Sequence, residues 1–286
     1  MGPQTLFDCS EDHQYENYSA GMGGVAMNHI FSLLVFILLF GGYASAETPE
    51  EKGLAIAKED DMRDNGFGDY QAELVMTLKN RQGEESSRHI RNKTLEVEGD
   101  GDKSLSIFSR PRDVKGTALL NFTHKVGNDD QWLYLPALKR VKRISSANKS
   151  GSFMGSEFAY EDITSQEVEK YTYKWIRDEN YKEEKCFVFE RYPVYKNSGY
   201  TRQVVWLDQK DYKILQIKFY DRKNAPLKTL TQSDFKQYLG KYWYPETMYM
   251  ENHQTGKSTL VAWKNYKFRN GLKDKDFNKN SLKRAR

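Results

Sequence analysis

The chain is dominated by short segments in which apolar and polar residues alternate. In residues 70–79, for example, Leu74, Met76 and Leu78 fall on one face of a strand. The turns between segments carry Gly, Asp or Asn. Segments of this kind lie at 87–97, 104–109, 117–122, 131–135, 171–177, 185–192, 202–207, 213–220, 227–235, 242–251 and 258–268. Strands do not alternate with long helices, so the pattern predicts a mainly β (α+β) domain with an antiparallel sheet of about 11 strands, which must curl, close or split.

A single helical pattern precedes the strands. Residues 50–63 place Leu54 and Ala57 on one side, extended by Ile56 and Met62, which predicts a helix of about 12 residues. No internal repeat or low-complexity segment interrupts the chain after it. We therefore expect residues 47–286 to form one domain.

The N-terminal region has the features of an export signal. Residues 30–40 are almost entirely apolar, and Ala44-Ser45-Ala46 follows as a small-residue cleavage site. The apolar run is shorter than the roughly 20 residues of a membrane-spanning helix, which disfavours the alternative of a retained anchor. The pattern predicts a signal peptide at 27–46, cut between Ala46 and Glu47, although no Lys or Arg precedes the apolar run. Residues 1–26 are expected to be a non-native or disordered extension, with the start at Met1, Met22 or Met27 left open.

Removal of that region makes the chain more basic. All 44 Lys and Arg residues follow residue 46, against 36 of the 40 Asp and Glu residues, so the net charge rises from +4 to +8. A basic exported protein favours anionic partners, such as membrane surfaces, lipid head groups or acidic protein patches. Nucleic acid is a poorer partner for it, because no binding motif is present.

Motifs for catalysis and for metal binding are missing. The five His residues show no metal-ligand spacing, and neither a nucleophile elbow nor a phosphate-binding loop occurs. Cys186, the only Cys after residue 46, lies in a strand-like segment and is expected to be a packed thiol. The sequence therefore predicts a non-enzymatic protein with no cofactor and no metal.

Residues 129–163 combine aromatic, basic and Gly/Ser-rich parts. Residues 138–144 read as a strand in which Arg140 and Lys142 share one face and Arg143 takes the other. These cations either cover a sheet edge with their long stems or form a rim around an apolar cavity, for an acyl chain with an anionic head. Phe153 and Met154 either pack in the core or belong to a mobile flap over that cavity.

The same residues resemble the signature of the outer-membrane lipoprotein-sorting protein family, which has a LolA-like domain. The signature covers residues 130–144, 149–158 and 160–162, and the resemblance extends over 50–286. The positions that carry the family motif are Arg110, Pro111, Lys115, Gly116, Pro136, Gly151, Gly155, Glu161 and Asp162.

This resemblance implies a strongly curved antiparallel half-barrel, LolA/LolB-like, with helices across its concave face. It implies a periplasmic carrier that holds lipid or lipoprotein acyl chains in an apolar cavity, contacts membranes transiently and delivers its cargo to an outer-membrane acceptor. The alternative is a non-carrier accessory protein docked to an inner-membrane exporter of the resistance-nodulation-division (RND) type. The residues expected to contact ligand are Trp132, Tyr134, Arg140, Lys142, Arg143, Phe153, Met154 and Phe158.

Overall fold

A computed structural model describes residues 46–284, which are organised around one sheet of 13 strands. The first six strands are β1 Asp69–Lys79, β2 Glu85–Leu95, β3 Lys103–Arg110, β4 Ala118–Phe122, β5 Asp130–Leu135 and β6 Arg140–Ile144. The other seven are β7 Tyr171–Tyr181, β8 Glu184–Pro193, β9 Tyr200–Asp208, β10 Ile214–Asp221, β11 Pro226–Tyr238, β12 Tyr242–Asn252 and β13 Ser258–Phe268. Each alternating segment of the sequence forms a strand, and residues 138–144 contribute the further strand β6. The sheet therefore has 13 strands, against the predicted number of about 11.

The sheet is an antiparallel meander whose two halves meet at β1 and β13. The strand order is β6-β5-β4-β3-β2-β1-β13-β12-β11-β10-β9-β8-β7. Consecutive strands β6 and β7 are therefore the two opposite edges, and they do not pair with each other. The sheet is open, and residues 145–170 must connect one edge to the other.

The sheet is strongly curved, because its two edges share one core. Leu133 and Ile144, near the β6 edge, belong to the same buried cluster as Phe189, near the β7 edge, and Lys170, next to β7, forms an ion pair with Asp129, next to β5. A flat sheet of this width could not bring those side chains together. The predicted mainly-β, open and antiparallel fold is confirmed, and the shared core defines its inner, concave face.

One α-helix, α1 Pro49–Asp64, covers the β7 side of the inner face. It begins with a capping box between Thr48 and Glu51, in which the Glu51 amide donates to Thr48 Oγ1 at 3.1 Å. Ile56 and Ala57 join the inner core. At Gly53 a Cβ atom would lie 2.8 Å from the backbone nitrogen of Trp175, so only glycine allows α1 to approach β7 this closely.

The outer face near β3–β5 carries a second, smaller core. Phe277 and Leu282, the latter on α2 Lys279–Arg284, pack on Leu105, Leu120 and Trp132. Within residues 46–284, no helix is long and apolar enough to span a membrane. The predicted N-terminal extension and signal peptide lie outside the described residues, apart from Ala46, and stay predictions.

Candidate ligand-binding cavity

Residues 145–170, here called the strap, cross the inner face from β6 to β7. The strap contains three 3-10 helices, at Ser146–Asn148, Tyr160–Ile163 and Val168–Lys170. Phe153 and Phe158 are buried in the inner core, and the Phe153 ring lies 5.8 Å from that of Phe108 on β3. Two positions were open for Phe153: the core, or a flap over the cavity. The structure places its side chain in the core.

Two buried carboxylates fix the strap to the β7–β13 half of the sheet. Asp162 accepts hydrogen bonds from Lys228 Nζ at 2.6 Å, from the Tyr200 hydroxyl at 2.8 Å and from the Ala159 amide at 2.7 Å. Glu161 accepts the Gly199 amide at 2.7 Å. Its second oxygen accepts the hydroxyls of Ser198 and Tyr195 at 2.8 and 3.0 Å. These bonds offset part of the cost of burying the two carboxylates, although burial still raises the pKa of Glu161.

Between the strap, α1 and the sheet lies a cavity of about 730 Å³, a size typical of small-molecule sites. Its apolar part includes Leu74, Met76 and Ile90 on the β1–β2 side and Met248 and Val261 on the β12–β13 side. Phe153 and Phe158 of the strap also line it. The cavity therefore offers an apolar surface formed by the inner face and closed on one side by the strap.

Polar side chains of β2 and β3 form another part of the lining. Asn92 and Thr94 on β2 lie beside Ser106 and Ser104 on β3, and all four share the inward parity of Ile90. Asn92 is buried, and its Oδ1 atom has no hydrogen-bond partner among residues 46–284. An unsatisfied buried acceptor is costly, so this atom calls for a donor.

The remaining lining is acidic. Burial first, and then the Asp64 carboxylate, raises the pKa of Asp60 on α1 to about 7. Burial, followed by the charges of Glu167 and Asp64, raises the pKa of Asp102 to about 7. Burial also raises the pKa of Glu167 to about 6. These carboxylates are close enough to repel one another, and they are only partly ionised near neutral pH.

An aromatic group borders the acids. The rings of Tyr70 and Tyr244 lie 5.7 Å apart, and both line the cavity together with Tyr242 and Trp243. Tyr244 hydrogen-bonds to Asp64, and burial raises the pKa of its hydroxyl. Aromatic faces beside carboxylates are a common environment for organic cations.

The predicted ligand contacts are divided between the two faces of the sheet. Phe153 and Phe158 line the cavity, and Met154 packs against the inner core beside them. Trp132 and Tyr134 lie on the outer face, in the cluster covered by α2. As ligand contacts, all of these residues remain predictions, but only those of the strap adjoin the cavity.

The cations of β6 lie away from the cavity. Arg140 and Lys142 pair with Leu135 and Leu133 in register and so share the inward parity, yet both are exposed at the sheet edge and outside the cavity lining. Arg143 has the outward parity and forms an ion pair with Asp130. The predicted cationic rim remains a prediction about ligand binding, while the cavity itself is bordered mainly by acids.

The remaining family-motif positions shape turns. Gly116 has a φ of +82° and donates its amide to the Phe108 carbonyl at 2.8 Å, next to Arg110, Pro111 and Lys115 in the β3–β4 connection. Gly155, with a φ of +82°, follows Met154 in the strap turn. Gly151 N–H donates to the Asn148 carbonyl, and Pro136 begins a 3-10 helix.

Sequence reasoning missed the acidic and polar lining, although signals for it exist. Asp60 and Asp64 are four residues apart and continue the side of α1 that carries Ile56, an unusual place for two like charges. Asn92 and Thr94 share the parity of Ile90 on β2, so the sequence already places polar side chains beside an apolar one on that face. No group of three or more His, Cys, Asp or Glu residues in the described part of the chain is arranged to hold a metal ion.

Comparisons with known proteins give close structural relatives. A family model described as "Uncharacterized protein" matches residues 100–284. The crystal structure of an outer membrane lipoprotein-sorting protein domain from Vibrio parahaemolyticus is 60% identical, covers 82% of this chain and 99% of its own, and has a TM-score of 0.81. A DUF1329 family protein from Desulfovibrio piger is 32% identical, with coverage of 82% and 99% and a TM-score of 0.78.

A more distant relative supports the fold alone. A LolA superfamily protein from Nitrosomonas europaea is 20% identical, covers 80% of this chain and 98% of its own, and has a TM-score of 0.65. Comparison with the curated proteins found no match.

Proposed function

The chain belongs to the outer membrane lipoprotein-sorting protein family, and from that premise we propose that it is a periplasmic carrier that binds the acyl chains of a lipid or lipoprotein. The observation that supports this proposal most strongly is the cavity of about 730 Å³ between the strap, α1 and the sheet. Its apolar lining is formed by side chains of the inner core, such as Leu74, Ile90 and Val261, where they border the cavity. An acyl chain would cover that surface and gain about 0.8 kcal/mol for each buried methylene.

The carrier is non-enzymatic in this proposal, because binding by apolar burial needs no reacting group. The periplasmic location rests on the predicted signal peptide and on the family membership. Delivery to the outer membrane, with transient membrane contact, is part of this proposal, and the name of the relative from Vibrio parahaemolyticus, an outer membrane lipoprotein-sorting protein domain, supports it. Reversible transfer requires only moderate affinity for the cargo. The partly polar lining limits that affinity, because polar groups lose water when an acyl chain covers them.

Blocking the cavity should abolish ligand binding. Ser106 lies on the inner face of β3 and lines the cavity, so a tryptophan there would fill the space without removing an apolar contact. We expect Ser106→Trp to lose at least about tenfold in affinity for an apolar dye that fluoresces on burial. The matched control is Ser87→Trp, on the exposed outward side of β2. Equal dye binding by the two variants, with unchanged circular dichroism, would contradict the carrier function.

The second candidate is an accessory protein docked to an RND-type exporter. It is favoured by the exposed cations Arg140 and Lys142 on the edge strand β6. This strand pairs with β5 on one side, and no described strand pairs with its other side. In that case the Arg140→Glu/Lys142→Glu variant would lose binding to an acidic partner protein while the affinity for the dye is retained. If the protein is a carrier only, the double variant keeps both its dye binding and its function in the cell.

A further inference from the structure

We propose that the cavity selects amphiphiles whose head group is a cation or a strong hydrogen-bond donor, such as an ammonium or guanidinium, over those with an anionic head. This inference rests on the proposed carrier function, because it concerns the same cavity. It departs from the expectation of a basic rim for an anionic head group. The argument comes from the charges and hydrogen-bonding groups that line the cavity.

The cavity is acidic although the chain is basic. Ten carboxylate side chains and four cationic side chains line it, while the whole chain carries a net charge of +4. Within the low-dielectric hollow of the sheet, this excess of negative groups attracts cations and repels anions. The cavity lining therefore has an excess of acidic side chains, whereas the whole chain has a net positive charge.

Protein cations neutralise only some of these acids, since Asp162 pairs with Lys228 and Asp211 pairs with Lys213. Arg63 is bonded to Glu59 at 2.7 Å, and its guanidinium stacks 4.0 Å from the Tyr212 ring centre. Lys241 donates to the Asn65 carbonyl at 2.5 Å. Lys213 contacts Asp208 and Asp211 at the β9–β10 turn. The partners of Arg63 and Lys241 are thus not among the ten acids of the lining, whereas Lys213 pairs with one of them, Asp211.

The acids that face the cavity lack such partners. Within residues 46–284, the Asp60 carboxylate forms no ion pair, and the Asp102 carboxylate accepts the Ser165 hydroxyl at 3.3 Å and the Val97 amide but pairs with no cation. Asp64 is bonded to a neutral tyrosine, Tyr244. Arg63 and Arg191 attract Asp60, and Lys241 attracts Asp64, without forming an ion pair with them. A bound cation would supply the direct ion pair that these three carboxylates lack.

An independent observation at the β2 wall calls for the same kind of ligand. Asn92 is only 9% exposed, its side chain has the inward parity of Ile90, and its Oδ1 atom has no partner in the described chain. An amide oxygen can only accept a hydrogen bond. A head group that donates, as ammonium, guanidinium and hydroxyl groups do, satisfies it, whereas a sulfate or a carboxylate does not.

The aromatic side chains complete a binding environment for a cation. The rings of Tyr242 and Trp243 already lie 4.8 and 5.2 Å from the ammonium groups of Lys241 and Lys213. Tyr70 and Tyr244 also line the cavity, together with Asp64. Their ring faces attract ammonium and guanidinium groups through cation–π contacts. The apolar tail would then occupy the part of the cavity between β1, β13 and the strap.

The test compares three ligands with the same alkyl chain in dye displacement below micelle formation: dodecyltrimethylammonium, dodecyl maltoside and dodecyl sulfate. We expect the ammonium ligand to bind at least about tenfold more tightly than the sulfate. In Asp60→Asn/Asp102→Asn, this ratio should fall to near one, while the maltoside affinity is retained. Near-ultraviolet circular dichroism at each ligand concentration verifies that the protein stays folded.

A control with the same charge change is Asp113→Asn/Glu183→Gln, at two exposed positions outside the cavity, and it should keep the preference of the wild type. Equal or tighter binding of the sulfate would overturn the inference and leave the carrier function standing. Absence of binding by all three ligands would instead overturn the carrier function on which the inference rests.

Discussion

Asp162→Ala is expected to lower the free energy of unfolding by about 3–5 kcal/mol, because it leaves a buried ammonium group without its counter-ion. The Lys228 and Asp162 side chains are 5% and 6% exposed, and their charged atoms lie 2.6 Å apart. The substitution also removes the acceptor of the Tyr200 hydroxyl and of the Ala159 amide. Urea unfolding followed by circular dichroism measures the loss.

A matched variant separates the charge effect from simple loss of packing. In Asp162→Leu/Lys228→Met, both charges are replaced by apolar groups of similar volume, so most of the loss should be recovered. The strap should exchange its amide protons faster in Asp162→Ala than in the double variant. A loss below about 1 kcal/mol in Asp162→Ala would contradict the assignment of this ion pair as the anchor of the strap.

Asp60→Asn/Asp102→Asn is expected to stabilise the fold at alkaline pH. In the folded protein each carboxyl has a pKa of about 7, against an ordinary value of 3.8. Because the folded state binds these protons more tightly than the unfolded state, the wild type loses stability as the pH rises from about 4 through 7. The asparagine side chains stay neutral at every pH, so the variant does not follow this loss.

The gain should be about 2–4 kcal/mol at pH 8 for the pair, after allowance for water in the cavity, and should shrink toward zero near pH 4. Thermal unfolding at several pH values measures it. The Asp113→Asn/Glu183→Gln control should show no such pH dependence, because both of its sites are exposed. A variant that is less stable than the wild type at pH 8 would show that the carboxylates are compensated in the folded protein. Together with the ligand test, this variant distinguishes residues kept for binding from residues kept for stability.

The sheet was predictable from the sequence because a two-residue alternation is a local property. Segments such as 70–79 and 258–268 contain enough periods to define a strand and its buried face. The pairing of β1 with β13 is different in kind. It joins strands separated by most of the chain, and no local pattern encodes it.

The course of the strap was less predictable for the same reason. Phe153 packs in the core because β6 and β7 are opposite edges of one curved sheet, which makes residues 145–170 cross the inner face. Alternation in residues 138–144 correctly separates Arg143 from Arg140 and Lys142. It could not show that the latter two lie beyond the end of the cavity, since this depends on where the curved sheet ends.

The acidic lining is assembled from distant parts of the chain. Asp60 comes from α1, Asp102 from the β2–β3 connection and Glu167 from the strap, and each alone resembles a solvated surface acid. Their mutual repulsion appears only when the inner face curves and brings them together. A net charge counted along the chain therefore predicts the wrong sign for this cavity.

The central claim is that the hollow between the strap, α1 and the sheet holds an amphiphile. Native mass spectrometry of the protein, purified without detergent from the cells that make it, tests this claim most directly. We predict a population that carries one non-covalent amphiphile, released at high collision energy and absent from Ser106→Trp. A wild-type protein that carries no adduct, or an adduct that persists unchanged in Ser106→Trp, would contradict the claim.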